Sequence, residues 1–203
     1  MHFPEFFRDV PRFVVRDPLA AFLGAAEDGL LEYAYEDAVK LAGHSCPTVA
    51  SAFRLTCLAL AALYPDELPE RGGVRVEFRS ALADGVTGVV ASVVTLLTGA
   101  AHDGGFKGIG GRHARRGLQQ FAADLPMALR FTRIDSGAAV DAEADLSSVP
   151  PDPAMPGLAA RCSAGEADET ERQRFAALWQ DRVRRILLEH GNDRAVFRIR
   201  TPC

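Results

Sequence analysis

The sequence predicts an α+β fold: a single core domain with a central buried helix packed on a small, mostly antiparallel sheet, plus a C-terminal amphipathic helix. Residues 47–64 are apolar with little polar surface, as in a buried helix. In residues 74–79 apolar and charged side chains alternate, the period-two pattern of a half-buried strand. Residues 166–190 predict the amphipathic helix, whose apolar stripe is Phe175, Leu178, Trp179, Val183, Ile186 and Leu187.

Composition restricts the class of protein. Of the 203 residues, 48% are hydrophobic and 25% are charged, which is typical of a globular protein with enough material for a core. A net charge of −4 argues against a dedicated nucleic-acid binder. No stretch has the roughly 18 apolar residues of a membrane span, and the N-terminus lacks the features of a signal peptide. We therefore expect a cytoplasmic protein that has no nucleic-acid or membrane partner.

The pentapeptide Gly43–Pro47, which we call the elbow, lies between two predicted helices. Gly43 suits the left-handed position that ends a helix, and Pro47 suits the first position of the next. Cys46 then lies at the N-cap, where backbone N–H groups favour a thiolate. With His44 it offers a nitrogen and a sulfur donor, which suit zinc. The alternative is a buried cysteine with no further role, since a metal site needs three or four ligands.

A family resemblance follows from two motifs. Tyr35-Glu36-Asp37-Ala38-Val39-Lys40, followed by the elbow, resembles the opening motif of the formylmethanofuran dehydrogenase E-subunit family. Leu96-Leu97-Thr98-Gly99-Ala100 is similar to that family's second motif. The resemblance implies a divalent metal ion at the elbow, zinc, with His44 and Cys46 as ligands.

The resemblance covers roughly residues 30–135, and the chain departs from the family in two places. Many members have a cysteine soon after the Thr-Gly turn, where this chain has Ala100-Ala101-His102. We therefore take His102 as the candidate third ligand. Many members also end in a zinc ribbon with paired Cys-x-x-Cys motifs, which this sequence does not contain. Cys57 lies eleven residues after Cys46, about 16 Å along a helix, and is expected in the core.

Residues 98–113 contain six glycines, but they match neither a Walker loop nor a dinucleotide fingerprint. If His102 binds the ion, this loop would carry Phe106 and Lys107 over an open coordination position as substrate-binding residues. The alternative is a structural glycine loop. Tyr35 and Asp37 are candidate supporting residues beside the metal ligands.

A proline-rich segment divides the chain into two predicted parts. We predict a metal-binding core in residues 1–148, a proline-rich linker in 149–164, and a C-terminal helix and short strand in 165–203, packing on the core or on a partner chain. Residues 88–98 are ambiguous between strand and helix, and we expect a helix. Because the N-terminus is rich in phenylalanine and the C-terminal helix is amphipathic, we also predict a homodimer.

Three functions remain open. The first is a zinc protein whose site has an open position for a small-molecule ligand or substrate. The second is a non-enzymatic accessory or metal-handling protein for a redox enzyme. The third, an enzyme with Cys46 as a nucleophile activated by His44, fits least well, because residues two apart on a tight turn rarely align thiol and imidazole.

Overall fold

A computed structural model describes residues 2–202; Met1 and Cys203, the last of the four cysteines, lie outside the described residues. Within that range the α+β class is confirmed. The α-helices are α1 (Pro18–Phe22), α2 (Tyr35–Ala42), α3 (Pro47–Leu63), α4 (Thr87–Thr98), α5 (Met155–Ser163) and α6 (Glu169–Arg184). The strands are β1 (Phe13–Arg16), β2 (Leu30–Tyr33), β3 (Val74–Phe78), β4 (Gln119–Gln120), β5 (Leu129–Arg133), β6 (Ala139–Ala144) and β7 (Phe197–Arg200).

The main sheet has five strands in the order β4-β3-β5-β6-β7, and β1 and β2 form a separate antiparallel pair. Neighbouring strands in the main sheet are antiparallel except β3 and β4, which are parallel. The sheet is therefore mostly antiparallel, as the sequence predicts. Val76, Phe131 and Val140 lie opposite one another on three adjacent strands, and all three are buried. They form one apolar row on a single face because side chains on a strand alternate between faces.

Helix α3 is the centre of the core. Ten of its 17 residues are buried, and it packs against β6, α4 and the region after α6; Ala61 and Ala62 lie on its exposed face. Cys57 is buried in this helix, and burial raises the pKa of its thiol to about 12. The expectation that Cys57 is a core residue is therefore confirmed.

The ambiguous segment around Val93 is helical, as expected, despite its valines. Tertiary packing explains this outcome, because Val93, Val94 and Leu97 are fully buried against the rest of the core. Strand propensity is weak compared with such burial. Gly99, with a φ of 70°, ends the helix.

The C-terminal segment packs on the core of its own chain. The predicted linker, residues 149–164, contains α5, and α6 continues into a turn of π-helix at Arg185–Glu189. Strand β7 pairs with β6 and completes the sheet. The apolar stripe of the C-terminal helix is buried at Val183, and Phe7 of the N-terminus is buried as well. Part of the apolar surface that motivated the homodimer prediction is thus covered within the chain itself, and the homodimer stays a prediction.

Among residues 2–202, no helix is both long enough and apolar enough to cross a membrane.

Candidate functional site

The elbow has the local geometry that its sequence predicts. Gly43 ends α2 in the left-handed region, with a φ of 76°, and its N–H donates to the carbonyl of Val39. Cys46 has an extended backbone and is the N-cap of α3, and Pro47 takes the first helical position. The turn therefore depends on residue types that are each suited to their own position.

The Cys46 thiol lies at the N-terminus of the central helix. Its Sγ accepts a hydrogen bond from the N–H of Val49 at 3.4 Å, and the side chain is buried. This bond satisfies one of the N–H groups that have no partner within the helix. The sulfur is thus held at the positive end of the helix dipole.

His44 is exposed, and its ring orientation is set by the backbone. Its Nδ1 lies 2.9 Å from the carbonyl oxygen of Ala42. Because a carbonyl oxygen can only accept, Nδ1 carries the proton in this bond, and the neutral ring keeps a lone pair on Nε2. None of the hydrogen bonds among residues 2–202 involves Nε2. An imidazole with its proton on Nδ1 can bind a metal through Nε2.

Ser45, between the two donors, is held by side chains from distant parts of the chain. Its hydroxyl donates to Oε1 of Gln180 at 2.9 Å and lies 3.0 Å from the hydroxyl of Tyr35. Since the serine proton is already used, Tyr35 must be the donor in the second bond. The Ser45 carbonyl accepts from Nε1 of Trp179 at 2.9 Å and from Nε2 of Gln180 at 3.3 Å.

Tyr35 is the predicted supporting residue that does contact the elbow. Its ring makes edge-on contacts with Phe7 and Phe53, and it is fully buried. Burial raises the pKa of Tyr35 well above its usual value, so the hydroxyl stays protonated and can donate to Ser45. Asp37 behaves differently: its carboxylate accepts the N–H of Ala34 at the start of α2 and pairs with Lys40.

His102 lies at the edge of the sheet, beside β4. Its ring is exposed and contacts the ring of Phe121 edge-on, with centroids 5.3 Å apart. Cys46 caps the start of α3, whereas His102 follows the end of α4 and lies next to the edge strand of the sheet.

The structure does not bring the three predicted ligands together. In the described part of the chain, no three His, Cys, Asp or Glu side chains are grouped closely enough to hold a metal ion. His44 and Cys46 belong to one elbow, while His102 belongs to the glycine loop. Phe106 and Lys107, the predicted substrate-binding residues, are exposed in that same loop. They lie in the same loop as His102, and their predicted position over the metal required His102 to be a ligand.

The glycine loop is held by a buried ion cluster. Asp17 is the N-cap of α1 and accepts the N–H groups of Leu19 and Ala20. Its carboxylate also pairs with Arg71 at 2.8 Å and with Arg115, two residues after the loop, at 2.6 Å. Burial opposes ionisation of Asp17, but Arg71 and Arg115 outweigh it and hold the pKa of Asp17 below its usual range.

At least two of the loop's glycines are needed for close packing. A Cβ at Gly105 would lie 2.6 Å from the Cβ of Ala101, and one at Gly108 would overlap the carbonyl of Arg112. These contacts agree with the alternative of a structural glycine loop.

Three residues of the site were not found from the sequence: Ser45 as the connecting residue, and Trp179 and Gln180 as its partners. The sequence pattern does assign Trp179 to the apolar stripe of the C-terminal helix. Nothing local connects that helix to a position 134 residues earlier.

Comparison with protein-family models and with curated protein sequences gives no match for this chain.

Proposed function

We propose that the elbow binds a divalent metal ion, zinc in the first place, through Nε2 of His44 and Sγ of Cys46. The observation that carries this proposal is the bond from His44 Nδ1 to the Ala42 carbonyl. It leaves an exposed nitrogen lone pair two residues before a thiol at a helix N-terminus. Nitrogen and sulfur donors are the ligands that zinc prefers.

The elbow supplies two protein donors, which is fewer than a permanent zinc site has. Zinc sites are usually four-coordinate, with three or four protein ligands where the ion is permanently held. Two donors from this chain match the chemistry of zinc but fall short of that number, so the remaining ligands must come from elsewhere. We therefore favour an exchangeable ion, which supports the metal-handling or accessory function over a permanently loaded enzyme. A bound ion would act as a Lewis acid toward whatever occupied its open positions.

The surroundings of the elbow contribute rigidity. Ser45 is held at its hydroxyl and at its carbonyl by side chains of α2 and α6. The backbone that joins the two donors is therefore held in place before an ion arrives. Preorganisation of this kind improves affinity because less conformational entropy is lost on binding.

The missing ligands have two candidate sources. One is a small molecule with a nitrogen, oxygen or sulfur donor, which would occupy the open position expected when the protein supplies fewer than four ligands. The other is a second copy of the chain, which would make the site part of a homodimer. Thiolate ligation also requires a reducing compartment, as expected for a cytoplasmic protein.

The nucleophilic-cysteine alternative has little geometric support. The protonated nitrogen of His44 faces Ala42, and the Cys46 sulfur accepts the N–H of Val49. No hydrogen bond among residues 2–202 joins the imidazole to the thiol. Activation by an adjacent base requires such a contact.

Metal titration of four proteins tests the proposal: the wild type, His44→Ala, Cys46→Ser and the control His102→Ala. Cobalt(II) is a suitable probe because thiolate ligation gives an absorption band in the near ultraviolet. We expect one ion per chain if a small molecule completes the site, or one ion per two chains if a second copy does. Affinity should be reduced tenfold or more in the first two variants and unchanged in His102→Ala. Cobalt binding without the thiolate band, or binding equal in all four proteins, would contradict the proposal.

Two further measurements test the exchangeable ion and the homodimer separately. Rapid loss of zinc to a chelator is expected for an exchangeable ion, whereas slow loss would favour a closed catalytic or structural site. Sedimentation equilibrium with and without zinc tests the second copy as the source of ligands. A monomer at all zinc concentrations would exclude the homodimer.

A further inference from the structure

A groove beside the elbow combines apolar walls with one charged side chain. It has a volume of about 240 Å³, somewhat below the roughly 300–1,000 Å³ of drug-sized ligand sites and so suited to a small ligand. The start of α3, the proline segment before α5, and the helices α5 and α6 form its walls. The residues that line it are Pro47, Pro151, Met155, Pro156, Ala159, Leu178, Trp179 and Arg182.

Arg182 is the charged residue of this groove. Its Nε donates to the carbonyl of Val149 at 2.8 Å. No carboxylate in residues 2–202 lies within 4 Å of its guanidinium, whereas Arg184 and Arg185 on the same helix both pair with Asp181. A half-buried cation without a counter-ion attracts an anionic group, and guanidinium geometry suits a carboxylate in particular.

Trp179 gives the groove a rigid aromatic wall. Its indole N–H is bonded to the Ser45 carbonyl, and its ring packs against Phe175 with centroids 5.6 Å apart. Three of the other wall residues are prolines, which have little conformational freedom to lose. An apolar body entering the groove would therefore meet a surface that is already formed.

We propose that this groove binds a small carboxylate with an apolar body, its carboxylate paired with Arg182 and its body packed on Trp179. The apolar walls account for the body, and the guanidinium without a counter-ion accounts for the charge. The site goes beyond the metal proposal, since none of its lining residues is His44 or Cys46. Its test therefore needs no metal.

Trp179 is the single tryptophan of the chain, so its fluorescence reports on the groove directly. The full-length, metal-free protein is titrated with phenylacetate, 4-methylpentanoate and octanoate, and with the neutral isostere 2-phenylacetamide. We expect a saturable change in fluorescence with at least one carboxylate, and added salt should weaken its binding. If phenylacetate binds, 2-phenylacetamide should bind at least tenfold more weakly. Salt dependence follows from screening of the ion pair.

Two variants test the roles of the groove residues. Arg182→Gln should weaken binding of the carboxylate roughly tenfold. This corresponds to about 1.4 kcal/mol, the value expected for one charge-assisted contact. The matched control Arg184→Gln removes an arginine of the same helix that does not line the groove, and it should bind as the wild type does. Ala159→Phe fills the groove and should abolish binding; its circular dichroism and melting curve establish that it is folded.

Any of four results would overturn the proposal. The first is no saturable change with any carboxylate up to about 10 mM, an upper bound for even weak specific binding. The second is equal affinity for phenylacetate and its amide, and the third is equal losses in Arg182→Gln and Arg184→Gln. If Arg182→Gln fails to fold, Arg182→Lys replaces it, because it keeps the charge and loses the planar fork. Unchanged carboxylate affinity in folded Ala159→Phe would likewise place binding outside the groove.

Discussion

The indole N–H of Trp179 donates a 2.9 Å hydrogen bond to the carbonyl oxygen of Ser45, 134 residues earlier in the chain. This bond joins the C-terminal helix α6 to the turn that carries both proposed metal ligands. The tryptophan ring also forms a wall of the neighbouring groove. One side chain thus stabilises the elbow and shapes the surface beside it.

Replacing this tryptophan tests its contribution to stability. In Trp179→Phe the Ser45 carbonyl keeps the longer bond from Gln180, at 3.3 Å, and loses the shorter one. We expect the free energy of unfolding to fall by about 1–3 kcal/mol, from the lost bond and the smaller ring. Urea denaturation followed by circular dichroism measures it, since the fluorophore is gone. Phe175→Leu, which alters the neighbouring ring without touching the elbow, should cost less.

The two hydroxyls at the elbow should respond unequally to removal. Tyr35→Phe removes one donor but leaves the Ser45 hydroxyl bonded to Gln180. Ser45→Ala leaves the buried Tyr35 hydroxyl and the Gln180 carbonyl oxygen without their partner. We expect a loss of about 1 kcal/mol for the first and about 1–3 kcal/mol for the second, because unsatisfied buried groups cost most.

Chemical denaturation of both variants and of the double variant measures this difference. The double variant should cost less than the sum of the two single losses, since Tyr35→Phe removes the orphaned hydroxyl that Ser45→Ala creates. A Tyr35→Phe loss equal to or greater than that of Ser45→Ala would contradict the proton assignment.

The Asp17 cluster predicts an acid-sensitive component of stability. Burial opposes ionisation of Asp17, but Arg71 and Arg115 outweigh it, so the pKa of Asp17 is lower in the folded chain than in the unfolded one. Its contribution is therefore complete above the unfolded pKa of about 4 and is lost as the pH falls through the folded pKa. Asp17→Asn keeps a side-chain oxygen for the N-cap but removes the charge.

Urea denaturation of Asp17→Asn and the wild type at several pH values tests this. We expect a difference of about 3 kcal/mol at pH 7, the lower end for breaking a buried ion pair. The difference should be constant down to about pH 5 and then shrink. A difference that stays the same down to pH 2 would mean that the charge of Asp17 is not what matters.

We expect alanine to destabilise the fold more at Gly72 than at Gly24, although both glycines have a positive φ. It has a φ of 90°, and a Cβ there would overlap the guanidinium of Arg115, which pairs with Asp17. Gly24 also has a positive φ, of 67°, but no atom lies within 4 Å of the position that a Cβ would take there. Gly24→Ala should cost about 1 kcal/mol from backbone strain alone. Gly72→Ala should cost at least 2 kcal/mol more in thermal or urea unfolding, because Arg115 must move away from Asp17. Equal losses would show that Arg115 yields freely.

Local interactions could be predicted from the sequence. Gly43, Cys46 and Asp17 each act on backbone groups within about four residues, so the residue type and its neighbours determine the cap. Alternation of apolar residues likewise predicts β3, because the period of a strand follows from its own backbone. The α+β class and the buried central helix follow from these patterns.

The assembly of the site was decided by tertiary structure. Ser45 meets Trp179 and Gln180, and His102 lies at the β4 edge rather than at the elbow, although its position after the Thr-Gly turn suggested a third ligand. Sequence spacing determines which residues are close only when they share a helix, strand or turn. Beyond that, the order of strands in the sheet and the burial of whole helix faces determine the distances, and both depend on packing contributed by the entire chain.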